Sequence, residues 1–231
     1  MNIAIIPARG GSKRIPRKNI KLFSGKPIIA WSIEAAKKSA LFDHVVVSTE
    51  DAEIAEVAKR LGAEVPFVRP MALSGDGGST DSVLLHAVAQ CEAIYGPISY
   101  GCCIYPTSPL LAADDLAGAL RLLQAHQATS AFPVVKFDFP IEQAFVLDGV
   151  RPRAKWPEKM LAMSQDLDDH FHDAGMFYWF DARKYLAARE LFSSDAVTFQ
   201  ISAHRCQDIN TFDDWTRAEI KHRILLEDGV K

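Results

Sequence analysis

Positions 9 to 18 read RGGSKRIPRK, five cations and no acid in ten residues. Arg9, Lys13, Arg14, Arg17 and Lys18 surround Gly10, Gly11 and Ser12. The cations supply charge, and the glycines let backbone N–H groups approach an anion closely. Because the whole chain carries a formal net charge of -3 at pH 7, the cluster is a local feature and not part of a general basicity. One loop bearing Arg9, Lys13, Arg14 and Lys18 offsets most of the charge of a nucleoside triphosphate, so a polyphosphate is the ligand this chemistry fits. The spacing is neither that of a Walker loop nor that of a dinucleotide fingerprint. The competing reading is a solvated basic face.

Other chemistries find less support. The four cysteines, Cys91, Cys102, Cys103 and Cys206, form no C-x-x-C pair, and no His/Cys cluster has zinc spacing. They read as reduced, mostly buried thiols of a cytoplasmic protein. The chain has 48% hydrophobic and 24% charged residues and no apolar run near 18 residues. Neither nucleic acid nor a membrane is therefore expected as a partner.

The elements that must position the basic loop are legible around it. Residues 2–6 form a short apolar run, the pattern of a strand buried on both faces. The loop over residues 7–24 thus leaves the carboxyl end of a strand, where ligands bind in open α/β sheets. Further strands are predicted over 44–48, 64–68, 100–104, 130–135, 176–180 and 197–201. Helices are predicted over 27–38, from a Thr49 cap to Leu61-Gly62, and over 80–95, 113–126 and 211–226. Thr211 and Asp214 have capping-box spacing. This alternation predicts an α/β fold, a doubly wound and mostly parallel sheet in one domain over residues 1–231. The rhythm breaks over 138–173, where Phe139, Phe145, Val146, Leu147, Trp156 and Phe171 are too apolar for a solvated loop. That segment reads as an inserted arm, with Arg151, Arg153, Lys155 and Lys159 suited to a polar rim.

Several motifs in order resemble the CMP-sialate synthetase family of cytidylyltransferases. Residues 6–19, IPARGGSKRIPRKN, are similar to that family's first motif. Arg69-Pro70 through Asp76, Tyr105-Pro106-Thr107-Ser108-Pro109, Ser164-Gln165-Asp166-Leu167 with Phe171 to Gly175, and Asp208-Ile209-Asn210-Thr211 resemble later ones. Tyr105 and His172 stand where the sialate enzymes carry Gln and Arg, and the departures resemble the pseudaminic acid branch.

The resemblance implies a Rossmann-like nucleotidyltransferase. It would transfer CMP from CTP to the anomeric hydroxyl of a nonulosonic acid and release pyrophosphate. Arg9, Ser12, Lys13, Lys18 and Asn19, with Gly10 and Gly11, would hold the triphosphate, and Arg9 and Lys18 would stabilise charge in the reaction. Arg69, Gly78 and Thr80 would approach the cytosine; Thr80 could instead cap the helix that follows. Asp208 is the implied ligand of Mg2+ or another divalent cation. Asn210 replaces the motif's second acid, and both residues could alternatively shape the turn. Tyr105, His172 and Asp173 would face the sugar, and Gln165 and Asp166 would belong to the pocket or to an arm exchanged in a homodimer. A sialate or legionaminate enzyme, a dehydrogenase and a non-catalytic nucleotide-sugar binder are the alternatives.

Overall fold

The computed structural model describes residues 1–75 and 79–227. Strand β1 (Asn2–Pro7) ends in the basic loop, which closes through a 3-10 turn over Lys18–Ile20 and the ribbon β2 (Leu22–Phe23) and β3 (Lys26–Pro27). Helix α1 (Ile28–Ser39), β4 (His44–Ser48), α2 (Ala52–Arg60), α3 (Thr80–Tyr95) and β5 (Tyr100–Ile104) follow. Next come α4 (Ala113–His126), β6 (Ser130–Lys136) and the hairpin β7 (Phe145–Asp148) and β8 (Arg151–Ala154). The chain finishes with β9 (Phe171–Asp173), β10 (Phe177–Asp181), α5 (Ala182–Ala188), β11 (Val197–Gln200) and α6 (Phe212–Glu227).

The main sheet runs β11-β6-β10-β5-β1-β4, with β9 added against β6. β4, β1 and β5 are parallel, and β11 is parallel to β6. β10 is antiparallel to both its neighbours, β5 and β6. The strand period of two divides the core. Ala4 and Ile6 face α1, α2 and α4 with Ile33, Leu116 and Trp179, while Ile3 and Ile5 face α3 and α5 with Leu84, Val88 and Tyr185. Helices on both faces match the expected α/β class, but the sheet is mixed rather than mostly parallel, because β10 and β9 pair antiparallel with their neighbours.

A third, smaller core matters most for the loop. Ile15, the apolar residue among the cations, is fully buried with Phe23, Ile28, Ile209, Trp215 and Ala218. Burying one isoleucine side chain stabilises by about 2 kcal/mol, and here it ties the basic loop to the segment carrying Asp208.

Three local readings are corrected. Residues 64–68 contribute one bridge, Glu64 to Val46, and no strand; Pro66 lacks a ladder donor, and Val68 is exposed. Asp51, not Thr49, caps α2, accepting from Ile54 N–H at 3.0 Å. Ser79 caps α3, accepting from Ser82 N–H at 3.1 Å, so Thr80 has no capping task. The capping box before α6 is present: Asp214 N–H donates to Thr211 Oγ1 at 3.2 Å, and Thr211 N–H to Asp214 Oδ2 at 2.8 Å.

Candidate active site

At the carboxyl ends of β1, β4 and β5 lies a cleft of about 480 Å3. Arg9, Ser12, Lys13, Arg14, Lys18 and Asn19 line it from the basic loop, Arg69 and Thr80 from the flank, Tyr105 from the end of β5 and Asn210 from the far side. The structure thus brings together ten sequence-predicted residues drawn from four separate stretches of chain. Gly78, together with Asp76 and Gly77, lies outside the described residues.

The loop is held from several directions. Asn19 is buried and donates its amide N–H to Arg9 O at 2.9 Å. Gly10 N–H donates to Glu50 Oε1 at 2.8 Å, and Ser12 N–H to Gly10 O at 3.1 Å. A Cβ at residue 10 would run into the Asp51 carboxylate, so this close approach requires glycine. Arg17 alone of the five cations turns from the cleft. It adopts φ 55° and pairs with Asp51 at 2.5 and 2.9 Å and with Glu53 at 2.5 Å.

Lys18 crosses to the opposite wall, donating from Nζ to Ile209 O at 2.7 Å. Burial lowers its pKa, as do the neighbouring cations Arg14 and Arg9, while Asp208 and Asp214 act the other way. Arg14 donates from Nη2 to Asn210 Oδ1 at 2.6 Å, and the Asn210 amide N–H donates in turn to Asp208 Oδ2. Asp208 itself is exposed beside Lys18. Among the described residues no three His, Cys, Asp or Glu side chains form a metal cage.

Arg69 is 3% exposed. Its Nη2 donates to Glu50 Oε2 at 2.6 Å and to Ala8 O at 3.2 Å, and its Nε to Ser74 Oγ at 3.1 Å. Tyr105 meets Thr80 Oγ1 through its hydroxyl at 2.9 Å and Tyr178 ring to ring at 5.3 Å. Tyr178 donates to Asp173 Oδ2 at 2.5 Å. Burial pushes the pKa of both phenols up, so both stay protonated. Asp173 therefore reaches the cleft through Tyr178 rather than directly.

His172, Gln165 and Asp166 do not line this cleft. His172 is exposed on β9, its Nδ1 on Asp173 O at 2.9 Å and its ring against Phe137 at 4.9 Å. Gln165 lines a separate cavity of about 300 Å3 within the arm, and Asp166 is exposed beside it. Another cavity, about 410 Å3 and lined by Trp31, Leu61, Leu110 and Leu225, lies away from the loop cations. Glu50 and Tyr178 are site residues that sequence reasoning missed. Glu50 reads as an acid favouring the start of α2 and Tyr178 as a core strand residue; only the position of Glu50 just past a strand's carboxyl end marks it.

Comparison with known proteins fits this arrangement. A cytidylyltransferase family model matches residues 3–198. A pseudaminic acid cytidylyltransferase of Campylobacter jejuni is 40% identical over 227 residues, covering 98% of each chain. The N-acylneuraminate cytidylyltransferase A of Danio rerio is 32% identical over 96% of this chain and 50% of its own length. A solved structure of CMP:2-keto-3-deoxy-manno-octonic acid synthetase complexed with CTP superimposes with a TM-score of 0.70 at 16% identity, covering 98% of this chain and 99% of that one. A loop cation array at the strand ends, a family match across most of the sheet and 40% identity with one relative over 98% of each chain make this chain a member of the cytidylyltransferase family.

Proposed function

We propose that the protein transfers CMP from CTP to the anomeric hydroxyl of a nonulosonic acid, pseudaminic acid, with release of pyrophosphate. The observation that carries this reading is the convergence of Arg9, Lys13, Arg14 and Lys18 on one cleft in a member of this family. The acceptor follows from the Campylobacter jejuni relative's name and from Tyr105, which lines the cleft where the sialate-type pattern has a neutral amide.

The reaction joins the anomeric oxygen to the α-phosphorus, breaks the bond from that phosphorus to the oxygen bridging it to the β-phosphate, and releases the hydroxyl proton. Negative charge grows on the departing pyrophosphate. Charged donors fixed before the reaction lower that barrier, by about 3 kcal/mol each where one has been removed. Lys18 is such a donor, held at the wall by Ile209 O. Arg9 sits between two anchored peptide groups, Ala8 O and Gly10 N–H. Tyr105, with its hydroxyl fixed by Thr80, forms the side of the cleft open to the sugar.

Mg2+ suits one or two carboxylates plus substrate phosphates and water, and the exposed Asp208 carboxylate beside Lys18 fits that need. Asp208 would hold the ion, which neutralises charge on the triphosphate when bound. Asn210 offers a neutral oxygen already accepting from Arg14.

The arm over 138–173 is assigned to a homodimer contact, with Gln165 and Asp166 serving across the two-fold axis. The four buried, unpaired thiols support a cytoplasmic setting.

Pyrophosphate release with CTP, Mg2+ and a panel of pseudaminate, N-acetylneuraminate and legionaminate tests the reading. Turnover of pseudaminate above the other two is expected. Preference for N-acetylneuraminate would overturn the acceptor, and equal use of UTP would overturn the nucleotide.

A further inference from the structure

Glu50 lies just past the carboxyl end of β4, one residue before the cap of α2. Its carboxylate is shared between two partners: Oε1 accepts from Gly10 N–H at 2.8 Å and Oε2 from Arg69 Nη2 at 2.6 Å. The two side chains are 10% and 3% exposed. Arg69 extends the clamp to Ala8 O at 3.2 Å. Ala8 and Gly10 flank Arg9, and Asn19 holds Arg9 O from the other side. Three pinned atoms on the two peptide groups that flank Arg9 therefore fix the backbone from which it enters the cleft.

We infer that Glu50 is the positioning residue of the triphosphate loop, acting through Gly10 and Arg69 on Arg9, a role that rests on the cleft being the nucleotide site. A carboxylate beside a polyphosphate site should repel the ligand. A buried ion pair is also weak as a source of stability, because desolvation offsets much of its attraction. Geometry supplies the reason for it. The carboxylate neutralises Arg69, which would otherwise be a lone buried cation, and it orients a glycine peptide that has no side chain of its own to hold it. The state of Glu50 agrees: burial pushes its pKa up, yet Gly10 N–H and Arg69 outweigh that and hold it below the usual carboxylate value.

Coulomb repulsion and positioning predict opposite signs for Glu50→Gln. If the carboxylate merely repels, CTP binds more tightly in the variant. If it positions, CTP binds more weakly although a negative charge has gone. Calorimetric titration with CTP alone, thermal unfolding and steady-state pyrophosphate release are the measurements. The CTP dissociation constant and the KM for CTP should rise about tenfold, with the KM for the acceptor sugar within about twofold of wild type. Glu56→Gln, on α2, exposed and paired with Lys59 of the same helix, should match wild type. A folded Glu50→Gln protein with unchanged or tighter CTP binding would overturn the inference. Should that variant not fold, Glu50→Asp keeps the charge but is one methylene too short to reach both partners, and the same readings apply. Wild-type protein that binds CTP but turns over no nonulosonic acid would sink the proposed acceptor, while the calorimetric comparison still decides Glu50.

Discussion

Lys18 lines the cleft and Asp208 lies close enough to act on its charge, and each carries a testable consequence. Lys18 is partly buried and surrounded by Arg9 and Arg14, so it sheds its proton at lower pH than an exposed lysine. The free enzyme should lose kcat/KM on the alkaline side as Lys18 neutralises, and the limb should move to higher pH in Lys18→Arg, whose guanidinium stays charged. Lys18→Ala should lose about 3 kcal/mol of transition-state stabilisation, read as a fall in kcat/KM of roughly a hundredfold. An unshifted alkaline limb in the arginine variant would show that another group titrates there. Asp208→Ala should mimic chelation of the divalent ion. Asn210→Ala should be milder, because it removes a neutral side chain that links Arg14 to Asp208. Equal loss in both variants, measured by pyrophosphate release over a Mg2+ titration, would reverse that ranking.

At the scale of elements, α2 is more than a packing unit. Its capping residue Asp51 binds Ile54 N–H and both Arg17 nitrogens, so the start of this helix and the back of the basic loop share one carboxylate. Arg17, with α2's amides behind it, holds the Asp51 pKa at about 2. A carboxylate whose pKa is lowered on folding stabilises above its unfolded value, and that contribution fades as pH falls through the folded one. Asp51→Asn should cost about 1 kcal/mol at pH 7, allowing for solvent screening around the half-exposed Arg17. The difference should be full above about pH 4 and shrink towards pH 2, in urea unfolding followed by circular dichroism. A gap independent of pH would mean that the pair with Arg17 contributes nothing. The same region shows what a linear reading can recover. The basic loop is legible because its chemistry is contiguous, and β1, β4 and β5 because their apolar runs have one explanation. The caps are misplaced by one or two residues because Thr49, Asp51, Ser79 and Thr80 are all competent cappers, and backbone angles choose among them. Residues 64–68 read as a strand by type, yet Pro66 and the turn towards Arg69 leave one bridge. Glu50 escapes because its partners lie 40 and 19 residues away, a pairing that only the assembled sheet creates.

For the whole molecule, the open question is what covers the arm. The β7–β8 hairpin stands apart from the main sheet, and a two-stranded ribbon is marginal in water unless something packs on it. Within the arm Phe139 is 83% exposed, Val150 95% and Leu161 96%, with Phe145 and Leu147 also in solvent. Apolar side chains gathered on one segment mark an interaction surface more than scattered exposure does. Arg151 and Arg153 beside them provide the polar border such surfaces usually have. A second copy of the chain is the simplest cover, since two-fold pairs are the commonest assembly. It also gives Gln165 and Asp166 a use, as neither lines the chain's own cleft. Sedimentation at micromolar concentration should then find a species of twice the 25.5 kDa chain mass. Val150→Asp with Leu161→Asp should shift it to the single-chain mass, because each pair of carboxylates would be buried without a partner. CTP binding by calorimetry should survive in that monomer, as the cleft proposed to hold the triphosphate is lined by residues of one chain. Turnover of the sugar should fall, as the arm's contribution is lost. A wild-type monomer with full activity on dilution would refute both the dimer and the shared pocket, and a monomeric variant that keeps full turnover would refute the shared pocket alone.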